Sequence, residues 1–304
     1  MAAMFLGIEI GGTKLQLGLG HGDGALAGLW RGAVDPSKGA DGIRQQIVQA
    51  VPELLSQAKI DRGQLRGLGI GFGGPVDDAT RTVIKSHQIQ GWDNFPLADW
   101  IGELVGLPAV LGNDADVAGL AEALFGAGKG LSPIFYITIG TGIGGGLIIN
   151  GEIYRGSGRG AAEIGHLRVP GLHGLIAILE DAASGWGMQK VLVELNGVAD
   201  PPSAAAIAQQ AARGDVLACE VVTFAIDRLA EGICHVIALL CPRRIVIGGG
   251  VALMGERLLF EPLRKLVAER VFTPFANCYE IAPAALGEEV VVHGALALAR
   301  KRLG

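Results

Sequence analysis

The sequence predicts an α/β protein of two domains, in which a duplicated core of β-hairpins, strands and helices surrounds a cleft. Three observations support this expectation. The chain has 304 residues, which is more than a single hydrophobic core usually organises. A strand, glycine turn and strand unit occurs at residues 5–20 and again at 135–150. Between and beyond these units, short apolar runs alternate with segments of helical periodicity.

The first half of the chain opens with the apolar run FLGIEI (5–10), which ends at Gly11-Gly12-Thr13-Lys14. The segment that follows, LQLGLG, alternates apolar and polar positions as a strand does, so the two runs predict a hairpin with a glycine-rich tip. The next expected elements are a helix over 41–59, a strand and loop over 65–77, a helix over 96–105, a short strand over 108–114 and a helix over 115–125.

The second half repeats the hairpin, because FYITIG (135–140) leads through a glycine-rich turn into LIIN (147–150), and Asn150-Gly151 is typical of a type I′ turn. The elements expected after it are helices over 181–195, 203–213 and 216–240, a buried strand opening into glycines over 243–251, a helix over 256–270 and a final helix. We place the domain boundary just after residue 114. The small domain then comprises 1–114 with the C-terminal helix (about 291–304), and the large domain comprises 115–290.

Composition and charge exclude several classes of protein. With 25 Lys and Arg against 30 Asp and Glu, the net charge is −5, which argues against the broad basic face of a nucleic-acid-binding protein. The four cysteines are scattered without a C-x-x-C pair, as expected of thiols in a reducing compartment. The amino terminus has no secretory signal pattern, and no apolar run approaches the roughly 18 residues of a membrane span. We therefore expect a cytoplasmic protein that binds neither nucleic acid nor membrane.

Neither of the two standard nucleotide-binding motifs is present in its required form. Gly140-x-Gly142-x-x-Gly145 has the dinucleotide spacing, but it opens into a strand and a hairpin turn where that motif requires a helix. The Walker A pattern fails because Gly128-Lys129 is followed by Gly130 in place of Ser or Thr.

Two glycine hairpin tips remain as candidates for phosphate binding. Their backbone N–H groups can converge on phosphate oxygens without a Cβ in the way, and Lys14 adds a positive charge. Either loop alone is also explained as a tight turn, but a third glycine loop at 248–250 favours a ligand site. The candidate residues for the phosphoryl donor are Gly11, Gly12, Thr13, Lys14, Gly140, Thr141, Gly142, Gly249 and Gly250.

A set of ordered motifs carries a family resemblance. They are IEIGGTK (8–14), GFGGPVD (71–77), GNDAD (112–116), TIGTGIGGGL (138–147), EIGH (163–166) and IVIGGGV (245–251). The chain resembles, over nearly its whole length, the ROK family of bacterial sugar kinases and related repressors. The resemblance implies an actin-like, ribonuclease-H-like two-domain fold that closes around sugar and ATP, and a homodimer, since dimers are common in the family. Repressor members carry an additional amino-terminal helix-turn-helix, whereas this sequence starts directly at the first hairpin, so a transcriptional role is disfavoured.

The resemblance assigns Asp114 to the catalytic aspartate and Asn113 to the sugar-binding asparagine. A carboxylate that follows a short buried strand can accept the proton of an attacking hydroxyl, as in other phosphoryl-transfer sites. The alternative for Asp114 is an N-cap for the helix that begins near Ala115.

Further sugar-binding residues come from the same resemblance. Glu163 and His166 match the family's E-x-G-H motif, and Glu180 matches a second glutamate that follows it. Carboxylates accept ring hydroxyls and an imidazole donates or accepts, so the set suits a polyol. Gly74 would let the backbone approach the sugar. His87 falls where the family often contacts the sugar, although a surface-loop histidine is an equally open interpretation.

Two departures from the family pattern matter. The family commonly carries a cysteine-rich zinc loop after the histidine of E-x-G-H, but residues 167–179 read LRVPGLHGLIAIL. Zinc needs about four ligands, which His166 and His173 do not supply, so we predict no zinc. We expect packing by Leu175, Ile176 and Ile178 to brace His166 instead. Glu9 stands where many members have Asp, and it keeps a carboxylate for a role near magnesium and phosphate.

These expectations favour an ATP- and Mg²⁺-dependent kinase that phosphorylates a hydroxyl, O6 by resemblance, of glucose, fructose, mannose or an N-acetylhexosamine. A catalytically silent sugar sensor on the same fold is the alternative. An actin-type ATPase is a third hypothesis, but it gives no role to Glu163, His166 and Glu180. The sequence leaves open which hexose is bound and whether polyphosphate or another nucleotide replaces ATP.

Overall fold

The computed structural model describes residues 3–86, 88–197 and 199–304. The chain divides into two compact units. The first contains the chain up to Gly130, Gly151–Ala161 and Leu286–Gly304, and the second contains Leu131–Asn150 and Ala162–Ala285.

A mixed five-stranded sheet forms the centre of the first unit. Its order is β3-β2-β1-β4-β7, with β2 antiparallel to its neighbours and β1, β4 and β7 parallel to one another. The central strands are buried on both faces, and this explains why their sequences are nearly continuous apolar runs. The strands are β1 (Met4–Ile10), β2 (Lys14–Gly20), β3 (Gly28–Ala33), β4 (Leu65–Phe72) and β7 (Ala109–Asn113), with a small hairpin of β5 (Val76–Asp77) and β6 (Thr82–Val83).

The helices of the first unit are α1 (Gly39–Ala58), α2 (Leu97–Val105), α3 (Asp114–Leu124) and α9 (Val290–Leu303). Helix α9 lies against β1 and β4, where Val292 and Leu296 pack on Phe5. Glycines permit this close approach. A Cβ on Gly69 would lie 1.9 Å from the carbonyl oxygen of Ala295, so any larger residue there would push the helix off the sheet.

The second unit is built on a similar sheet, in which β9, β8, β13 and β14 lie side by side in that order. As in the first unit, a hairpin pair is antiparallel and the following strands are parallel. The strands are β8 (Ile134–Ile139), β9 (Ile143–Ile149), β13 (Arg244–Gly248) and β14 (Ile281–Pro283), with a hairpin of β11 (Arg168–Pro170) and β12 (Ile176–Ile178). The short strand β10 (Glu152–Ile153) lies between β9 and β11 in chain order.

The helices of the second unit are α4 (Leu179–Ala183), α5 (Gly185–Asn196), α6 (Ala204–Ala212), α7 (Val216–Leu240) and α8 (Glu261–Arg270). The single helix expected over 181–195 is wrong, because Ser184 leaves the helical conformation and caps α5 with its hydroxyl. The helix expected over 256–270 begins as a π-helical turn, Glu256–Phe260. Asn150 and Gly151 have φ angles of 54° and 74°, as the predicted type I′ turn requires.

The sequence-based boundary after residue 114 falls at the first residues of α3, and all 11 residues of that helix lie in the first unit. Helix α9 also lies in the first unit. The assignment of small and large domains stays a prediction. Across the part of the chain that the structure describes, no helix combines the length and apolarity needed to cross a bilayer.

Candidate active site

The first glycine hairpin closes tightly and reaches the surface. The N–H of Gly11 donates to the carbonyl oxygen of Lys14 at 3.0 Å, and Glu9 lies opposite Gln16 in the antiparallel register. Gly11 and Gly12 are half-buried, whereas Thr13 is exposed. The tip therefore presents backbone and a threonine hydroxyl to solvent, as a phosphate-binding loop requires.

Glu9 is a buried carboxylate beside this hairpin, with an exposed fraction of 5 %. Its Oε1 lies 3.1 Å from Nζ of Lys14, and the same ammonium group donates to the carbonyl oxygen of Glu288 at 2.9 Å. Oε2 is buried without a hydrogen-bond partner among the described residues. Burial raises the pKa of Glu9 to about 7; Lys14 opposes this shift, and the charges of Asp114 and Glu288 add to it.

Asn113 and Asp114 divide two roles at the start of α3. Oδ1 of Asn113 accepts from the N–H of Ala115 at 2.9 Å, and its Nδ2 donates to the carbonyl oxygen of Gly74 at 3.0 Å. Asn113 is thus the N-cap, and Asp114 is the first residue of the helix. Oδ1 of Asp114 also accepts from Ala115, at 2.8 Å.

The loop after β4 places Asp114 next to the first hairpin. The N–H of Gly73 donates to the carbonyl oxygen of Ile10 at 2.8 Å. A Cβ on Gly73 would lie 3.5 Å from Oδ2 of Asp114 and 3.6 Å from Cα of Gly11. The predicted base and the predicted phosphate loop are therefore neighbours within one unit.

Gln88, which follows the predicted sugar contact His87 in sequence, touches this hairpin. His87 lies outside the described residues, so its assignment stays a prediction. Its neighbour Gln88 covers the hairpin, since a Cβ on Gly12 would lie 1.6 Å from Oε1 of Gln88. Nothing in the local sequence around Gln88 pointed to this contact.

The second glycine hairpin is attached to the N-terminus of α5. The N–H of Gly140 donates to the carbonyl oxygen of Gly142 at 2.9 Å. The first N–H groups of α5 turn toward the loop, since Gly185 donates to Gly140 at 2.8 Å and Trp186 donates to Thr141 at 3.2 Å. These bonds use N–H groups that a helix cannot pair internally, and Thr141 itself is exposed.

The third glycine loop lies beside the second hairpin. Gly248 pairs with Thr138 in the parallel register of β13 and β8. Gly249 has φ of 86°, and a Cβ there would lie 2.5 Å from the carbonyl oxygen of Ile139, so only glycine fits. A Cβ on Gly250 would meet nothing within 4 Å. The second unit therefore brings two of the three glycine loops to one edge of its sheet.

Glu163 lies within electrostatic reach of both His166 and Glu180 in the second unit. Glu163 precedes a 3₁₀ turn, Ile164–His166, and its carbonyl oxygen accepts from the N–H of His166 at 3.1 Å. Although Glu163 keeps much exposed surface, desolvation by the surrounding protein raises the pKa of its carboxyl group. The charge of His166 lowers this pKa, and the charge of Glu180 raises it.

Glu180 has a second contact that sequence reasoning missed. Its Oε2 accepts a hydrogen bond from the N–H of Ile143 at 2.8 Å, so the carboxylate also touches the second glycine hairpin. The two residues are far apart in sequence, and no local pattern links them.

The expected apolar brace of His166 is wrong for two of its three residues. Leu175 and Ile176 are each 70 % exposed, whereas Ile178 is half-buried. Val169 of β11 and Leu179 at the start of α4 are the buried apolar residues of this segment. Leu179 also donates its N–H to the carbonyl oxygen of Leu167 at 2.8 Å, which holds the chain next to His166.

The sequence profile of the ROK family matches residues 5–302. The chain belongs to the ROK family. Its fold, with one such sheet in each of two units, matches the actin-like ATPase fold of solved ROK sugar kinases, as the resemblance implied.

ROK relatives include enzymes and regulators. The chain is 29 % identical to the glucokinase of Thermotoga maritima, with 98 % of each chain covered. The ROK glucokinase of Streptomyces griseus, solved in complex with glucose and AMPPNP, superposes with a TM-score of 0.79 at 32 % identity, covering 98 % of this chain and 100 % of that one. The putative xylose repressor of a Caldicellulosiruptor species is 27 % identical over 97 % of this chain and 77 % of its own length.

Among the described residues, no three His, Cys, Asp or Glu side chains gather as a metal-binding cluster. The prediction that this ROK protein holds no zinc still needs a direct measurement.

Proposed function

We propose that the protein is an ATP-dependent hexose kinase in which Asp114 is the general base. Asp114 accepts the proton of a sugar hydroxyl, and the hydroxyl oxygen attacks the γ-phosphorus of ATP while the bond from that phosphorus to the β,γ-bridging oxygen breaks and ADP leaves. The proposed acceptors are glucose, fructose, mannose or an N-acetylhexosamine, phosphorylated on O6. Cytoplasmic localisation and homodimerisation stay predictions alongside this proposal.

One observation carries the proposal. Asp114 Oδ2 and Gly11 Cα both approach Gly73, at 3.5 Å and 3.6 Å from the position of a Cβ there. A base beside a phosphate loop is the arrangement that phosphoryl transfer needs, since the attacking oxygen and the phosphorus must meet in line.

The residues around Glu9 fit a magnesium ion bound together with ATP. Oε2 of Glu9 is a buried oxygen without a hydrogen-bond partner among the described residues, and Mg²⁺ is usually held by one or two carboxylates and the substrate phosphates. When bound, the ion offsets negative charge on the phosphates. Lys14, Gly11, Gly12 and Thr13 would orient the same phosphates.

The second unit contains further proposed binding residues. We assign the 140–142 and 249–250 loops to the phosphoryl donor, and Glu163, His166 and Glu180 to the hydroxyls of the sugar ring. In the first unit Asn113 and Gly74, which are hydrogen-bonded to each other, would position the hydroxyl that Asp114 deprotonates.

A panel assay tests the activity. Formation of ADP is followed by a coupled assay with ATP, Mg²⁺ and each proposed hexose in turn. Turnover of at least one hexose well above hydrolysis of ATP alone is expected. Equal ADP formation with and without every sugar would exclude the kinase and favour an ATPase.

Substitution of Asp114 by Asn tests the base. The amide keeps the acceptor for the N–H of Ala115 but cannot take a proton, so kcat should fall by about 10²–10⁴-fold while KM for sugar changes by only a few-fold. Asp41→Asn is the control, because Asp41 is likewise an acid in the first turn of a helix of the first unit, and it is exposed whereas Asp114 is half-buried. Near-normal turnover in Asp114→Asn would reduce Asp114 to a structural residue of the helix terminus.

A sugar-sensing regulator is the second candidate, favoured by the match to a putative xylose repressor over 97 % of this chain. It is distinguished by calorimetry together with the panel assay. Binding of a hexose without any phosphorylation would support the sensor against the kinase.

A further inference from the structure

The carboxylate of Glu180 fills the space beside the second glycine hairpin. Its Oε2 accepts from the N–H of Ile143 at 2.8 Å. A Cβ on Gly142 would lie 2.3 Å from that same oxygen and 3.1 Å from Cδ. Glycine at 142 is therefore required by the position of the carboxylate.

Glu180 is itself firmly placed by α4. At one end of this short helix, Leu179 is fully buried and its N–H donates to the carbonyl oxygen of Leu167 at 2.8 Å. At the other end, the N–H of Ser184 donates to the carbonyl oxygen of Glu180 at 3.1 Å, and Gly185 donates to the hairpin at Gly140. These bonds fix the backbone of α4, from which the carboxylate of Glu180 reaches the hairpin.

We propose that Glu180 is a positioning residue for the phosphoryl donor, which fixes the 140–143 hairpin through the N–H of Ile143 in addition to facing the sugar. This inference rests on the proposed function, because that function places donor phosphates on the hairpin. A carboxylate is suited to the task, since a hydrogen bond to a charged acceptor is shorter and stronger than a neutral one. Oε2 accepts the hydrogen bond from Ile143 of the hairpin, and Oε1 remains for a hydroxyl of the sugar ring.

The two contacts of Glu180 predict that its Ala and Gln variants differ in affinity for AMPPNP. Glu180→Ala removes both, so it should weaken binding of AMPPNP with Mg²⁺ by about tenfold, the lower range for loss of a hydrogen bond to a charged group. Glu180→Gln keeps an oxygen for Ile143, so its AMPPNP affinity should stay within about threefold of that of the wild type. A residue that acts only on the sugar would leave AMPPNP affinity unchanged in both variants.

Gly142→Ala provides an independent perturbation. The added methyl group displaces the carboxylate without altering it, so this variant should also lose about tenfold in AMPPNP affinity. In the Glu180→Ala background the methyl group no longer meets the carboxylate, so the double variant should lose about tenfold and not about a hundredfold. Additive losses would overturn the proposal.

Calorimetric titration with AMPPNP and Mg²⁺ measures these affinities, and hydrogen exchange at the Ile143 amide reports the bond directly. Asp181→Asn is the control, because Asp181 lies on the same helix and pairs with Lys190 at the surface. Exchange at Ile143 should accelerate in Glu180→Ala and stay near the wild-type rate in Glu180→Gln and Asp181→Asn. Unchanged exchange in Glu180→Ala would refute the inference.

The exchange measurement also separates this inference from the proposed function. If the wild type does not bind AMPPNP, the assignment of the hairpin to the phosphoryl donor fails, and the proposed function fails with it. Fast exchange at the Ile143 amide in Glu180→Ala would still establish the hydrogen bond between Glu180 and Ile143. If Glu180→Ala does not fold, Gly142→Ala tests the same contact, and normal affinity in that variant would contradict it.

Discussion

Replacing Glu122 tests how the first unit holds its connecting segments. Glu122 lies on α3 and is fully buried, with an exposed fraction of 0 %. Its Oε2 accepts from the N–H of Ala127 at 2.7 Å, and its Oε1 accepts from the N–H of Leu286 at 2.9 Å. Ala127 lies just before the chain first leaves the first unit after Gly130, and Leu286 is where it returns for the last time. One carboxylate thus ties two segments that are remote in sequence.

The magnitude follows from these two bonds. A hydrogen bond to a charged group contributes about 1.5–3 kcal/mol, so two contribute roughly 3–6 kcal/mol. Removing a buried charge offsets part of this loss, which leaves a net destabilisation of roughly 2–4 kcal/mol for Glu122→Ala. Glu122→Gln keeps one acceptor oxygen and turns an NH₂ group toward the other N–H, so about half of that loss is expected.

Urea denaturation followed by circular dichroism gives the free energy of unfolding, and hydrogen exchange should accelerate at Ala127 and Leu286. Glu103→Gln is the control, since Glu103 is exposed on α2 of the same unit. The reasoning would be refuted if Glu122→Ala unfolded within about 0.5 kcal/mol of the wild type, the usual range for surface substitutions.

Three further outcomes are expected. Because folding raises the pKa of Glu9 from 4.5 to about 7, the unfolded chain ionises first as pH rises, and wild-type stability falls between these values. Without divalent cations, the free energy of unfolding of Glu9→Gln relative to that of the wild type should rise by up to about 3 kcal/mol between pH 4.5 and pH 8, as measured by urea denaturation. A difference that stays constant with pH would contradict this. Gly69→Ala, whose Cβ would meet the Ala295 carbonyl oxygen at 1.9 Å, should lose about 2 kcal/mol or more, whereas Gly63→Ala, with nothing within 4 Å, should lose little. Elemental analysis should find no stoichiometric zinc, since the 167–179 loop has no cysteine, and chelation should spare activity once Mg²⁺ is restored; one tightly held zinc required for activity would overturn this.

Local chemistry made several parts of the fold predictable from sequence. Glycines between apolar runs predicted the positions of both hairpin tips. The backbone freedom of Asn and Gly predicted the turn at Asn150-Gly151. The start of α3 was also visible, since Asn and Asp favour the first positions of a helix. Only the structure, however, showed that Asn113 is the cap, which leaves Asp114 facing the hairpin.

The features that were missed depend on contacts distant in sequence. Glu180 reaches Ile143 across 37 positions, and Glu122 reaches Leu286 across 164. Leu175 and Ile176 misled for another reason, because an apolar residue in a short surface segment is not necessarily buried. The interruption at Ser184 had a local signal, since serine followed by glycine is typical of a helix cap, but the surrounding helical periodicity masked it.

The position of α9 has a consequence for the order of folding during synthesis. Strands β1 and β4 emerge from the ribosome early, yet residues 290–303 that cover them emerge after all of the second unit's residues. The second unit's long segment, Ala162–Ala285, is complete before α9 exists. Nascent chains generally fold from the amino terminus onward, but here the middle of the chain can finish its core first. The strand face around Phe5 remains an uncovered apolar surface, open to chaperones, until the last helix is made.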